Sequence, residues 1–279
     1  MSAPILHARA RARVMGIVNT TPDSFSDGGR HATVEAAVAH GLRLVEQGAD
    51  ILDIGGESTR PGADPVGVDE EIARTAPVIA GLRTRWSGPI SIDTLKPEVA
   101  AAAVEAGATM WNDVSALEFS PNSLAVAARL GCDVVLMHMQ GQPRTMQDAP
   151  VYNDVQAEVS AYLLTRAEAA MAAGVARERI WLDPGIGFGK TVQHNLTLIA
   201  GLEPLIGLGF PVLFGASRKR MILGLDPTAQ QPSDRLGGSL ALALEAARRG
   251  ADIIRVHDVR ETVQALKVQA AIKAATTGD

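Results

Sequence analysis

Cysteine is nearly missing from this 279-residue chain, with Cys132 the single one. That excludes an internal disulfide and a zinc site built on several thiolates. Cys132 opens an apolar run, Leu-Gly-Cys-Asp-Val-Val-Leu, and reads as a small buried residue rather than a nucleophile. Aromatic residues are also scarce, at 4%, so aliphatic side chains and Ala carry most of the apolar mass. No uncharged apolar run approaches the roughly 18 residues that a membrane span needs. The longest candidate, 204–217, is broken by Pro211 and several Gly. Met1 to Arg13 lacks the apolar stretch of a secretory signal. Together these absences predict a soluble, cytoplasmic protein. Lysine is sparse too: Lys96, Lys190, Lys219, Lys267 and Lys273 are the only ones among 26 basic residues. The net charge is −5, so there is no basic excess for general nucleic-acid binding. An anionic ligand would need cations gathered in one place.

What the chain does hold is 47% hydrophobic residues, 27 Gly and 15 Pro, which excludes disorder as its main state and implies many turns. Short β-type runs recur at Val14–Val18, Ile51–Ile54, Ile90–Asp93, Thr109–Asn112, Val134–His138, Ile180–Asp183, Pro211–Phe214 and Ile253–Val256. Several are apolar without alternation, as strands covered on both faces should be. Helical stripes lie between them. They include Val34, Val38, Leu42 and Val45; Ile72, Ala76, Ile79 and Leu82; Val155, Val159, Tyr162 and Ala170; Leu236, Leu240, Leu244 and Ala247; and Val259, Val263, Leu266 and Ala270. Gly48, Gly107, Gly131, Gly174 and Gly250 read as helix stops just before a strand. Eight strands alternating with about eight helices predict an α/β fold, the (β/α)8 TIM barrel, with a doubly wound open sheet as the competitor. No linker splits the chain, so it reads as one domain, 1–279, with the barrel over about 14–275.

A barrel of this kind places its active site at the C-terminal ends of the strands. Those ends are dense in polar groups: Asn19, Asp53 followed by Glu57-Ser58-Thr59-Arg60, Asp93, Asn112-Asp113, His138, Asp183, Ser217-Arg218-Lys219, and Arg255 with His257. Helix capping accounts for some of them, but not for Asp93 and Asp183, which continue their strands. Asp93, Asn112, Asp183 and Lys219 combine acceptors, an amide and a cation. That mixture suits the edge of a flat heterocycle bearing amino, ring N–H and carbonyl groups. Asn19, Arg255 and His257, with Arg60 on a loop, suit a phosphate or diphosphate. Arg255 and His257 are two residues apart and so share one side of their strand.

Two long loops follow the first two strands, 19–29 with Phe25 and 55–62 with Pro61, and they read as lids over the mouth. Gly185-x-x-x-Gly189-Lys190-Thr191 is one residue short of the phosphate-binding loop spacing, and Gly185, Gly187 and Gly189 do not make a dinucleotide fingerprint. His138 reads as a core or supporting residue.

These blocks resemble one family. Met15 to Gly29 and Gly48 to Gly62 look like the two signature stretches of the dihydropteroate synthases. Ser91-Ile-Asp-Thr94, Trp111 to Ser115, Asp183 to Lys190, Gly215 to Arg220 and Ile254 to Val259 are similar to the family's remaining blocks, in order, over about 14–270. The resemblance implies condensation of 6-hydroxymethyl-7,8-dihydropterin diphosphate with 4-aminobenzoate. It implies Asp93, Lys219 and Arg255 as catalytic residues. Asp93, Asn112, Met137, Asp183, Phe188, Gly215 and Lys219 would hold the pterin. Asn19, Thr59, Arg60, Arg255 and His257 would hold the diphosphate with Mg²⁺, Asn19 being the metal contact. Phe25, Thr59, Arg60, Pro61 and Ser217 would shape the 4-aminobenzoate site, and the barrel would be a homodimer. Arg220 stands where some relatives have Ser. The rival readings are a pterin-binding methyltransferase barrel, which would need a corrinoid partner, and a non-catalytic pterin-binding paralogue.

Overall fold

The structure, a computed structural model, describes residues 11–20, 29–57, 65–141 and 145–277. Eight parallel strands form one sheet: β1 (Arg13–Asn19), β2 (Ile51–Gly55), β3 (Ile90–Asp93), β4 (Met110–Asp113), β5 (Asp133–Met137), β6 (Ile180–Asp183), β7 (Leu213–Phe214) and β8 (Ile253–Val256). Their order is β6-β5-β4-β3-β2-β1-β8-β7, and a parallel bridge between Leu182 and Val212 brings the two edges together. This is the barrel that the sequence predicts. The helices that cover it are α1 (Gly29–Glu46), α2 (Val68–Arg83), α3 (Pro97–Glu105), α4 (Ser123–Leu130), α5 (Val155–Ala172), α6 (Val192–Ala200), α9 (Leu236–Arg249) and α10 (Val259–Thr277). Two short helices, α7 (Glu203–Ile206) and α8 (Arg220–Leu225), are additions to the alternating pattern. Among the described residues no helix is long and apolar enough to cross a membrane.

Local chemistry sets the boundaries. All five glycines read as helix stops have positive φ, from 60° at Gly131 to 115° at Gly107, which an L side chain rarely adopts. Strand β7 is shorter than expected, because Pro211 has no N–H to give the ladder. The neighbouring Val212 N–H goes instead to Asp252 Oδ2 at 2.9 Å. His138 lies just past β5, although its N–H still donates to Asp183 O at 3.0 Å. Helix α9 turns a different face inward than its leucines suggest. Ser239, Ala243 and Ala246 are buried, while Leu236, Leu240 and Leu244 are half-buried. The reason is at Ser239, whose Oγ accepts from Arg218 N at 2.9 Å and donates to Arg235 O at 2.7 Å. These bonds fix the small-residue face against the β7 end.

Side chains alternate along each strand, so the interior is read in steps of two. Met15, Ile51, Met110, Val135, Trp181, Leu213 and Ile253 form one buried cluster, separate from the larger one between strands and helices. At the N-terminal end the Arg13 guanidinium lies 4.6 Å from the centre of the Trp181 ring. The inner cluster is therefore a packed floor beneath whatever the mouth holds.

Candidate functional site

Two residues beyond that floor, the inward positions change character. Ile51 is followed by Asp53, Met110 by Asn112, Trp181 by Asp183, Leu213 by Gly215, and Ile253 by Arg255 and His257. Strand register puts Asn19, Gly55, Asp93 and Asn112 side by side across β1 to β4, and Met137 beside Asp183 across β5 and β6. Gly55 leaves a gap in this row. A Cβ there would sit 3.7 Å from Asp93 Cβ and 3.9 Å from Asn19 Oδ1. Gly215 leaves a second gap, 3.7 Å from Arg255 Cβ and 4.0 Å from Asp183 Oδ2.

Arg255 joins the carboxylates. Its Nε donates to Asp53 Oδ2 and its Nη2 to Asp93 Oδ2, each at 2.6 Å. Asn112 Nδ2 donates to the same Asp53 oxygen at 3.3 Å. Asp53 Oδ1 and Asp93 Oδ1 are buried with no hydrogen-bond partner among the described residues. Unpaired buried acceptors are costly unless a ligand satisfies them. Burial pushes Asp93 up to about 7 against the pull of Arg255, and Asp183 up to about 6 against the Gly185 N–H and Lys219. Burial also draws Lys219 down to about 8, with Asp183 opposing. For Arg255 the two aspartates outweigh burial and hold the guanidinium charged.

The remaining groups close around this set. Asp183 Oδ1 accepts from Gly185 N at 2.7 Å, and Lys219 Nζ lies 4.0 Å from the centre of the Phe188 ring. Ser217 Oγ and His257 Nδ1 are 3.1 Å apart, and the His257 N–H donates to Ser217 Oγ at 3.2 Å. Met137 is buried at the end of β5. The structure thus brings together Asn19, Asp93, Asn112, Met137, Asp183, Phe188, Gly215, Ser217, Lys219, Arg255 and His257. Phe25, Thr59, Arg60 and Pro61 lie outside the described residues.

Sequence reasoning places Asp53 among the polar strand ends but gives it no role, although its step of two from Ile51 marks it as inward. It passes over the buried cation Lys96, which pairs with Glu57 and, at 2.6 Å, with Glu71. Glu57 Oε1 accepts from Val66 N at 3.2 Å, so this cluster ties down both ends of the loop after β2. Arg255 faces carboxylates through two of its donor nitrogens, which spacing alone did not reveal. His138 is a supporting residue, as expected: it is buried and held neutral, chiefly by burial and then by the charge of Lys190.

A family profile described as "Pterin binding enzyme" matches residues 15–257. Dihydropteroate synthase of Escherichia coli K12 is 50% identical over 255 residues, 91% of this chain and 89% of that protein. Dihydropteroate synthase of Xanthomonas albilineans with 4-aminobenzoic acid superimposes with a TM-score of 0.89 at 56% identity, covering 95% of this chain and 94% of the other. The same organism's enzyme with 7,8-dihydropteroate gives a TM-score of 0.86 at 53% identity over 95% and 94% of the two chains. The fold and the charged mouth are therefore those of a pterin-binding barrel enzyme. Within that class, the chain belongs to the dihydropteroate synthase family.

Proposed function

We propose that the mouth joins 6-hydroxymethyl-7,8-dihydropterin diphosphate to 4-aminobenzoate, the transferase step of folate biosynthesis that yields 7,8-dihydropteroate and diphosphate. The observation that carries this reading is the set Asp53, Asp93, Asn112, Asp183, Lys219 and Arg255, gathered above an apolar floor in a chain of this family. Asp93, Asn112, Asp183 and Lys219 hold the amino and ring groups of the pterin. Met137 and Phe188 wall it, and Gly215 leaves it room. Asn19, Arg255 and His257, with Thr59 and Arg60, hold the diphosphate. Ser217, Phe25, Thr59, Arg60 and Pro61 shape the aminobenzoate pocket.

The arylamine is a weak nucleophile, so the C–O bond to the diphosphate breaks first and the C–N bond forms second. The positive charge left on the pterin methylene spreads into the ring, beside the carboxylates of Asp93 and Asp183. His257 and Arg255 face the departing negative charge, and the amine gives up its proton as the C–N bond forms. No residue forms a covalent bond to the substrate.

Mg²⁺ fits the donor chemistry here. No group of three His, Cys, Asp or Glu among the described residues could cage a metal, while Asn19 offers one neutral oxygen. Magnesium binds in this way when substrate phosphates complete its shell. When bound, it neutralises diphosphate charge. The chain is read as one cytoplasmic barrel domain that pairs as a homodimer. The exposed Val268 and Ile272 on α10 support pairing.

The test is incubation with the pterin diphosphate, labelled 4-aminobenzoate and Mg²⁺. The expected outcome is labelled dihydropteroate in step with diphosphate release. Pterin binding without product would favour a non-catalytic paralogue instead. Methyl transfer dependent on a corrinoid partner would favour the methyltransferase reading.

A further inference from the structure

Lys190 makes no ion pair with the carboxylates at the mouth, yet it is only 2% exposed and lies within reach of the charges of Asp183 and Lys219. Its Nζ lies 2.9 Å from His138 Nδ1, 2.9 Å from Gly185 O, 3.0 Å from Phe188 O and 3.3 Å from His138 O. Three carbonyls and one imidazole nitrogen thus form a crown around a single side-chain nitrogen. Such a crown of acceptors suits an ammonium, which has three donors and a charge, better than a neutral amine. Burial draws Lys190 down to about 7, with the charge of Asp183 opposing.

The crown joins the end of β5 to the loop after β6, and that loop is pinned along its length. Gly187 O accepts from Gln147 Nε2 at 2.5 Å, and Gly189 O accepts from Tyr152 Oη at 2.8 Å. Asn195 Oδ1 accepts from Gly187 N at 2.8 Å. The contact with β5 is close: at Gly185, with φ 66°, an added Cβ would come within 1.9 Å of His138 O. What this scaffold presents is Phe188, whose carbonyl belongs to the crown and whose ring lies against Lys219 Nζ at 4.0 Å.

We propose that Lys190 is a positioning residue for the pterin pocket: by gathering the carbonyls of His138, Gly185 and Phe188, it sets the Phe188 ring against Lys219. The inference rests on the reading of Phe188 and Lys219 as pterin contacts.

A double-mutant cycle separates this role from a merely structural one. Lys190→Met, Phe188→Ala and the double variant are titrated with pterin-6-carboxylate, followed by its fluorescence, beside thermal melts of each. Lys190→Met is expected to weaken binding about tenfold in the native background but less than about twofold in the Phe188→Ala background. In turnover its KM for the pterin diphosphate rises by about the same factor, with kcat within about threefold. An equal loss in both backgrounds, or no loss in either, overturns the proposal. Should Lys190→Met not fold, His138→Ala removes one acceptor and goes through the same cycle, with an expected loss of about threefold that disappears without Phe188. Failure of the native chain to bind the probe would overturn the pterin reading itself, and this inference with it.

Discussion

The floor and the mouth of the barrel are built by the same strands, two residues apart, under opposite rules. At the floor Met15, Ile51, Val135 and Ile253 are fully buried. Fully burying an aliphatic side chain of this kind stabilises by about 1.5–3 kcal/mol. At the mouth the next inward positions are Asp53, Asp183 and Arg255, together with Asp93 from β3, where burial alone is unfavourable. Ion pairs offset part of that cost, but Asp53 Oδ1 and Asp93 Oδ1 have no hydrogen-bond partner among the described residues. A packed apolar layer thus supports charges that, on the proposed reading, a bound substrate would satisfy. Stability and catalysis are separated by two steps along the strand.

The comparison can be broken at either layer. The largest effect is expected at the mouth. Asp93→Asn should lower kcat/KM by about 10³-fold, on the order of 4 kcal/mol. Its melting temperature should shift little, since Arg255 keeps Asp53 as partner. At the floor Ile253→Ala should do the reverse, costing about 2–5 kcal/mol in urea unfolding while leaving both KM values near native. A change in KM there without loss of stability would dissolve the distinction between the layers.

Titration of the mouth comes next in size. In the proposed reaction Asp93 and Asp183 act as carboxylates, so kcat/KM begins to fall as pH drops through about 7, where Asp93 takes up a proton, and falls further through about 6 with Asp183. In the proposed reaction Lys219 acts as a cation, so activity is expected to fall as pH rises through about 8. The alkaline limb approaches about tenfold per pH unit, and the acid limb steepens beyond that once both carboxyls take up protons. Lys219→Arg should move the alkaline limb upward, and an unmoved limb would assign it to another group. The smallest effect belongs to the partly exposed pair Arg11–Asp50 near the N-terminal end of the barrel, 2.7 Å apart. Arg11→Ala should cost under about 1 kcal/mol of stability and nothing in turnover.

Much of this was legible in the sequence, for identifiable reasons. Strands buried on both faces read as continuous apolar runs, and helices that end in left-handed glycines announce their stops. The face of α9 was misread because apolar periodicity weighs Leu over Ser and Ala, whereas the Ser239 hydrogen bonds decide the close contact. Asp93, Asn112, Asp183 and Lys219 could be grouped from the sequence because their chemistry and their place at strand ends agree. Asp53 stands among the polar strand ends without a role, because its partner Arg255 is 202 residues away in the chain and only the closed barrel joins them. Lys190 fails a phosphate-loop spacing, and the family block that it closes gives it no role. Its role depends on carbonyls of the loop after β6 and of His138, which side-chain patterns do not report.

The most direct test compares product formation and melting temperature for the native chain, Asp93→Asn and Ile253→Ala in one assay with pterin diphosphate, 4-aminobenzoate and Mg²⁺. The account predicts that native protein makes dihydropteroate, that Asp93→Asn loses about 10³-fold at a nearly native melting temperature, and that Ile253→Ala melts lower yet turns over normally while folded. Near-native turnover by Asp93→Asn at saturating pterin diphosphate would contradict it.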